Sequence, residues 1–203
     1  TALEVLGTFD DCQRMVKQAF LDKDITSKIN LSSANSINIS RLIPQSFYYF
    51  YAYAQAKKLG RKVVFSVPSG NFGNICGGLI AKKMGLPIEM FIASTNLNDI
   101  MPTYIKTGIF TAKPSVATIS NAMDVGNPSN YPRVIELYNK DIEALRKNVI
   151  GKVYTDKETA AAMKAVYQST GYVMDAHGAV GDLGLEEYFK ETGIDATGIF
   201  LAT

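Results

Sequence analysis

Residues 60–93 read GRKVVFSVPSGNFGNICGGLIAKKMGLPIEMFIA, and this stretch decides the fold. The β-branched run at residues 62–67 predicts a buried strand. A glycine-rich turn follows, and residues 75–84 predict a helix that ends at Gly85-Leu86-Pro87. Residues 88–93 predict the next strand. A strand, a helix and a strand with short connections indicate a parallel sheet with helices on its faces.

The remaining sequence continues this alternation of strand-like and helix-like patterns, so the predicted fold class is α/β, a parallel sheet flanked by helices. Helical spacing predicts helices at residues 10–20, 39–59, 100–107, 131–147, 156–169 and 180–192, and apolar runs predict strand-like segments at residues 1–5 and 197–202. Residues 121–130 lack periodicity and are expected to be irregular.

Composition and charge exclude several classes of protein. The net charge of +2 is too small to favour a nucleic acid or an anionic membrane surface as partner. No apolar run approaches the roughly 20 residues of a membrane span, and no basic-then-apolar leader is visible. Cys12 and Cys76 are too few for a disulfide framework or a zinc cluster. These features predict a cytoplasmic protein with reduced thiols, without a metal site and without a membrane or nucleic-acid partner.

The turn between the first predicted strand and its helix, residues 69–74 (the glycine loop), has the composition of an anion site. Backbone N–H groups that begin a helix have no intrahelical acceptor, and the helix dipole adds positive charge there. Gly70 and Gly73 would permit a positive φ and a close approach of the backbone to a phosphate. The two asparagines add amides and the serine a hydroxyl. A plain strand-to-helix turn with the same residues remains an alternative.

Two familiar phosphate motifs fit this loop poorly. A nucleoside-triphosphate loop requires a Lys-Ser/Thr pair where this sequence has Cys76-Gly77. A dinucleotide fingerprint requires a different glycine spacing and an acidic residue at the end of the next strand, which here ends in Ser94-Thr95.

Ser69-Gly70-Asn71-Phe72-Gly73-Asn74 resembles the phosphate loop of the fold-type-II pyridoxal-phosphate enzymes. Further segments resemble the threonine synthase family of that group, and they follow one another in the family's order through the whole chain. They are residues 7–13 (GTFDDCQ), residues 33–38 (SANSIN) with Arg41, residues 120–130 (SNAMDVGNPSN) and residues 175–181 (DAHGAVG), where Ala176 replaces the family's proline.

The resemblance implies a cofactor, pyridoxal 5'-phosphate, and a reaction, the conversion of O-phospho-L-homoserine and water to L-threonine and phosphate. The implied cofactor-binding residues are Ser69, Gly70, Asn71, Phe72, Gly73, Asn74 and Thr203, whose hydroxyl would face the pyridine nitrogen. Asn35, Arg41 and Asn71 would bind the substrate, whose phosphate suits the fixed donor fork of arginine.

The family's Schiff-base lysine lies in a Phe-Lys-Asp context, and no lysine of this chain follows phenylalanine and precedes aspartate. The expected lysine would therefore lie upstream of Thr1, and no catalytic residue is predicted within the chain. The resemblance then implies that residues 1–203 form most of the large, tryptophan synthase β-like cofactor domain of a longer enzyme, truncated at both ends and inactive alone. Another fold-type-II lyase, of the cysteine synthase or threonine dehydratase kind, and a non-catalytic phosphate-binding module remain alternatives.

Three further residue types invite a catalytic or metal-binding role but have simpler interpretations. His177, the only histidine, could be a general base, but a structural hydrogen-bonding role is favoured. Asp10-Asp11 are interpreted as helix caps rather than a metal pair. Cys76 is expected to be a buried small residue rather than an activated thiol.

Overall fold

The computed structural model describes residues 3–201. Its helices are α1 (Phe9–Leu21), α2 (Lys23–Thr26), α3 (Leu42–Ala56), α4 (Gly73–Lys83), α5 (Ile100–Thr107), α6 (Tyr131–Glu136), α7 (Ile142–Arg146), α8 (Asp156–Thr170) and α9 (Ala176–Thr192), with 3-10 turns at Ile39–Arg41, Lys57–Leu59 and Asn121–Met123. Its strands are β1 (Lys62–Pro68), β2 (Met90–Thr95), β3 (Val149–Val153) and β4 (Ala196–Phe200). No helix of this described part is long and apolar enough to cross a membrane.

The strands form one sheet in the order β3-β2-β1-β4, and every neighbouring pair is parallel. In register, Val64 lies opposite Met90 on β2 and opposite Gly198 on β4. Both faces of β1 are covered by helices, since all of its residues after Lys62 are buried. The predicted α/β fold with a parallel sheet is therefore confirmed, including the β1–α4–β2 unit.

Aromatic packing joins α3 to one face of the sheet. The ring of Tyr49 meets those of Phe65 and Phe91 edge-on, with centroid distances of 5.0 and 5.6 Å. All three side chains are fully buried, and such pairs contribute beyond the area that they bury. On the opposite face, α9 packs Leu185 against Val64 in a second apolar cluster. Gly181, near the start of α9, packs against Pro68 at the carboxyl end of β1, so α9 begins at the end of the sheet where α4 also begins.

The predicted helix at residues 131–147 is wrong, because two short helices replace it. Asn139 and Lys140 adopt left-handed backbone conformations, with φ of 52° and 61°, which break the helical path. Asp141 then caps α7 by accepting hydrogen bonds from Glu143 N and Ala144 N. The strand β3 that follows was not predicted.

Smaller differences concern the ends of elements. Helix α9 begins four residues before the predicted start, because Asp175 caps it by accepting a hydrogen bond from Gly178 N at 2.9 Å. Residues 3–5 of the predicted strand-like run are not in a strand, and Thr1 and Ala2 lie outside the described residues. The predicted strand at residues 197–202 corresponds to β4, which ends at Phe200.

Candidate phosphate-binding site

The glycine loop connects the carboxyl end of β1 to the start of α4, as the sequence predicts. The first intrahelical hydrogen bond runs from Cys76 N to Phe72 O at 3.1 Å. The backbone N–H groups of Gly73 and Ile75 precede that bond and have no acceptor within the helix. Because α4 contains 11 residues, its dipole adds partial positive charge at the same point. The loop therefore has the backbone geometry that binds an anion.

The positive φ that Gly70 and Gly73 would permit is not used, since neither glycine has a positive φ. The left-handed residue is Phe72, with φ of 61°. This residue is 3% exposed, and its burial, which contributes about 1.5–3 kcal/mol for such a side chain, offsets a backbone cost of about 1–3 kcal/mol. Gly70 is needed for another reason: a Cβ there would lie 2.7 Å from Met123 Cα.

Two polar side chains of the loop bind the protein itself. The Ser69 hydroxyl donates to Val67 O at 2.7 Å. Asn74 donates to Leu201 O at 3.1 Å and accepts from the Tyr49 hydroxyl at 2.7 Å. These contacts fasten the loop to β1, to α3 and to the residue that follows β4, so they position the backbone N–H groups.

Asn71 connects the loop to two distant segments. Its amide nitrogen donates to Ser36 Oγ at 2.7 Å, and Ser36 N donates to Asn35 Oδ1 at 2.6 Å. Its amide oxygen accepts from the backbone N–H and the hydroxyl of Ser129, at 2.6 and 2.9 Å. The structure therefore brings together Asn35 and Asn71, to which the family resemblance assigned substrate binding, although they are 36 positions apart in the sequence.

Arg41 lies beside this network rather than in it. Its guanidinium donates to the backbone carbonyl of Ala34. It lines a cavity of about 200 Å³ on the outer side of α3, together with Ser33, Asn38, Ser40, Pro44, Gln45 and Tyr48. Gln45 also lines the cavity at the glycine loop, so this side chain lies between the predicted substrate arginine and the predicted phosphate site.

The cavity at the glycine loop has a volume of about 150 Å³. Besides residues 68–75, its walls are Ser36, Gln45, Ala122 and His177. Gln45 Oε1 is buried and has no hydrogen-bond partner within the described chain, which is a position that a ligand would satisfy. No lysine lines this cavity in the part of the chain that the structure describes.

Sequence reasoning assigned no site role to Gln45 or Arg133. Gln45 could have been found, because it follows Arg41 by four positions and shares its helix face. Arg133 donates to the carbonyls of Ser36 and Ile37, at 2.8 and 2.5 Å. It thereby fixes the segment that contacts Asn71, and no sequence motif marks it.

The structure also shows the surroundings of the cysteine, the two aspartates and the histidine for which simpler roles were predicted. Burial raises the pKa of the Cys76 thiol to about 11, so the activated-thiol alternative is wrong. Asp11 belongs to a capping box with Thr8, whose backbone N–H donates to the Asp11 carboxylate at 2.9 Å. Asp10 instead accepts from Gly126 N at 3.1 Å. The ring of His177 makes no hydrogen bond within residues 3–201, so its predicted structural bond is not formed there. Thr203 lies outside the described residues.

Comparisons with known proteins agree with the fold and with the predicted cofactor. Residues 1–201 match the family described as pyridoxal-phosphate dependent enzyme. Threonine synthase from Haemophilus influenzae is 51% identical over 199 residues, which cover 96% of this chain and 45% of that protein. The crystal structure of threonine synthase from Escherichia coli matches with a TM-score of 0.89 and 41% identity, over 99% of this chain and 46% of that one.

A third relative, the structure of PLP-bound threonine synthase from Brucella melitensis, has a TM-score of 0.83 and 35% identity over 100% of this chain and 48% of that one. The chain thus spans about half the length of these relatives. The cofactor predicted from the glycine loop is the one that defines the matched family. With its parallel sheet, its phosphate loop at the start of α4 and these matches, the chain belongs to the pyridoxal-phosphate dependent enzymes of fold type II.

Proposed function

We propose that this chain is part of a threonine synthase, a carbon–oxygen lyase that converts O-phospho-L-homoserine and water to L-threonine and phosphate. One observation carries the proposal: hydrogen bonds run from Asn35 through Ser36 to Asn71. They join the segment predicted to bind the substrate to the loop predicted to bind the cofactor phosphate. The similarity of the chain to the threonine synthases of Haemophilus influenzae and Escherichia coli supports the same reaction.

The residues present fit the phosphate of pyridoxal phosphate. The backbone N–H groups at the start of α4 supply donors, and the helix dipole supplies positive potential. Gln45 lines the same cavity, and its buried Oε1 is an acceptor that would take a hydrogen bond from a donor group of the ligand, not from a phosphate oxygen. When bound, the cofactor supplies an electron sink for carbanion chemistry. The chain's own contribution is to hold the phosphate, to orient the cofactor and to place the substrate beside it.

On the substrate side, Asn35 and Asn71 lie within one hydrogen-bonded network, and Arg41 lies on the next cavity along α3. We assign the substrate phosphate to the Arg41 guanidinium, which can bind two phosphate oxygens at once. Its side chain turns away from the Ala34 carbonyl to do so. Gln45 connects the two cavities and would line the path between the bound groups.

The chain supplies most of the large cofactor domain in this proposal. The lysine that holds the cofactor covalently is contributed from upstream of Thr1, which is supported by the absence of lysine from the walls of the loop cavity in residues 3–201. The isolated chain is then inactive. Cys12 and Cys76 are free thiols, which supports a reducing compartment, the cytoplasm.

Titration with pyridoxal phosphate followed by borohydride reduction and peptide mapping tests the proposal. We expect weak, reversible binding that pyridoxal without phosphate does not reproduce, and no lysine labelled stoichiometrically. Stoichiometric labelling of one lysine in the chain would show that the assignment of the catalytic lysine is wrong. No binding of pyridoxal phosphate at all would refute the cofactor site.

Arg41→Ala separates a threonine synthase from a phosphate-binding module of another function. With pyridoxal phosphate present, the substitution should weaken binding of O-phospho-L-homoserine by about tenfold or more and leave the cofactor affinity unchanged, because a hydrogen-bonded ion pair with the substrate alone is lost. Lys17→Ala, at the rim of a neighbouring groove, serves as a charge-matched control. Equal loss of both ligands would contradict the substrate role.

A further inference from the structure

His177 is placed beside the glycine loop by the packing of α9. The residue lies in the first turn of that helix, two positions after the capping residue Asp175. One turn further on, a Cβ at Gly181 would lie 3.1 Å from Pro68 Cγ, so the helix approaches the residue that ends β1 closely. The start of α9 therefore packs against the residue that precedes the glycine loop, with the backbone of Gly181 beside the rigid Pro68 ring.

The imidazole of His177 forms part of the wall between two cavities. One is the cavity of about 150 Å³ at the glycine loop. The other has a volume of about 420 Å³ and is lined by residues 119–122 together with Asp175 and Ala176. His177 is only partly exposed, and its ring has no hydrogen-bond partner within residues 3–201. Partly buried ring nitrogens require partners, and both cavities border this residue.

The electrostatic surroundings of the ring favour a neutral imidazole before a ligand binds. Burial lowers the pKa of His177, while the carboxylates of Asp175 and Asp124 oppose that shift. Asp175 belongs to α9 itself, and Asp124 follows the 3-10 turn Asn121–Met123 that faces it. Neither carboxylate lines the loop cavity, and within the described chain the walls of that cavity contain no Asp, Glu, Lys or Arg. An anion entering that cavity would stabilise the protonated ring.

We infer that His177 is a phosphate-contacting residue, whose imidazole donates a hydrogen bond to a phosphate group held at the glycine loop. The inference rests on the proposed function and adds a second side-chain donor, besides the remaining N–H of the Asn71 amide, to a site built mainly from backbone N–H groups. The phosphate belongs either to the cofactor or to the substrate, since both carry the same dianionic group.

Because His177 is the only histidine of the chain, its imidazole NMR signals can be identified without residue assignment. Imidazole nitrogen and carbon-bound proton shifts are followed from pH 5 to 9 in the free chain and with each ligand. The ligands are pyridoxal phosphate, pyridoxal, and O-phospho-L-homoserine with and without pyridoxal phosphate. Cofactor absorbance is recorded in parallel, so that binding and the response of His177 are measured independently.

We expect a phosphorylated ligand to raise the measured pKa of His177 and pyridoxal to leave it unchanged. A shift with pyridoxal phosphate alone assigns the contact to the cofactor, whereas a shift that also requires O-phospho-L-homoserine assigns it to the substrate. Cofactor binding without any shift overturns the inference and leaves the proposed function standing. Failure of pyridoxal phosphate to bind overturns both.

Variants separate hydrogen bonding from packing. His177→Gln keeps an N–H donor and His177→Phe keeps a ring, so the contact predicts that the phenylalanine variant loses about tenfold in affinity for the phosphorylated ligand while the glutamine variant keeps most of it. Equal losses in both, or an equal loss for pyridoxal, would identify a packing role and refute the contact. If circular dichroism shows that either variant is unfolded, the wild-type titration still decides the question.

Discussion

Gly70→Ala is the sharpest perturbation of the glycine loop, because the atoms nearest to the added Cβ belong to the backbone of Met123 and cannot rotate away as a side chain could. The added Cβ would lie 2.7 Å from Met123 Cα and 3.1 Å from Met123 O, whereas ordinary contact begins at 3.4 Å. Loop and turn must then separate by roughly 0.7 Å, the difference between 3.4 and 2.7 Å. Met123 is 1% exposed, so the turn Asn121–Met123 cannot simply move into solvent.

The expected loss of stability follows from two opposing effects. Overpacking of a close-packed site lowers the free energy of unfolding by about 1–3 kcal/mol. Replacing glycine by alanine raises it by about 0.4–1 kcal/mol, because the unfolded chain loses conformational entropy. The net loss is about 1–2 kcal/mol. With a urea dependence of about 2 kcal/mol/M, the unfolding midpoint falls by roughly 0.5–1 M. Displacement of the loop also lowers the affinity for pyridoxal phosphate, by about tenfold for one weakened charge-assisted bond.

Urea unfolding followed by circular dichroism measures the first effect, and equilibrium titration measures the second. Gly73→Ala is the matched control, because its Cβ has a single tight neighbour, Ser36 Cβ at 3.0 Å, and the next atoms lie 3.5 Å away or more. Gly73 also begins α4, where alanine is a better helix former. We expect a loss below about 1 kcal/mol for this control. Wild-type stability in Gly70→Ala, or a larger loss in Gly73→Ala, would refute the reasoning.

Three further predictions concern other parts of the site, each measured on the native chain. Cys12 should react with a thiol reagent at pH 8 while Cys76, with a pKa near 11, reacts only on unfolding; rapid reaction of both would contradict the burial of Cys76. Arg133→Met should lower the free energy of unfolding by about 2–4 kcal/mol, whereas Arg14→Met, which loses an exposed ion pair, should change it by less than about 1 kcal/mol; equal losses in urea unfolding would refute the anchoring role. Burial lowers the pKa of His177 in the folded protein, so the unfolded chain takes up the imidazole proton at a higher pH than the folded chain does. The wild type should therefore lose stability relative to His177→Gln as the pH falls below 6.5, measured by urea unfolding. A difference in stability that does not change with pH would contradict this.

Local signals predicted the β1–α4–β2 unit, because its strands are β-branched runs and its helix ends in a glycine and a proline. They failed at residues 131–147, where Asn139 and Lys140 take left-handed conformations that helical spacing does not reveal. Tertiary packing decides that break, since the short helices α6 and α7 each present a buried side chain to the main core. Strand β3 directly follows this segment and was also not predicted, because one long helix was expected up to residue 147.

The site shows a similar division between local and long-range information. The position of the glycine loop and the start of α4 follow from residues that are adjacent in sequence. The contacts of Arg133 with Ser36 join positions 97 apart, and those of Asn71 with Ser129 join positions 58 apart. No single-sequence pattern encodes such pairs, so the ordering of the segment around Ser36 could not be predicted.

The hydrogen bonds of Asn71 limit how it can serve two ligands. Its amide oxygen is fixed as the acceptor, because the backbone N–H of Ser129 can only donate. Both acceptor sites of that oxygen are used by Ser129, and one amide N–H is used by Ser36. One N–H therefore remains within the described contacts, enough for a single phosphate oxygen. In the proposed function, Asn71 would therefore touch either the cofactor or the substrate directly, and it would act on the other by holding Ser36, and with it Asn35, in place.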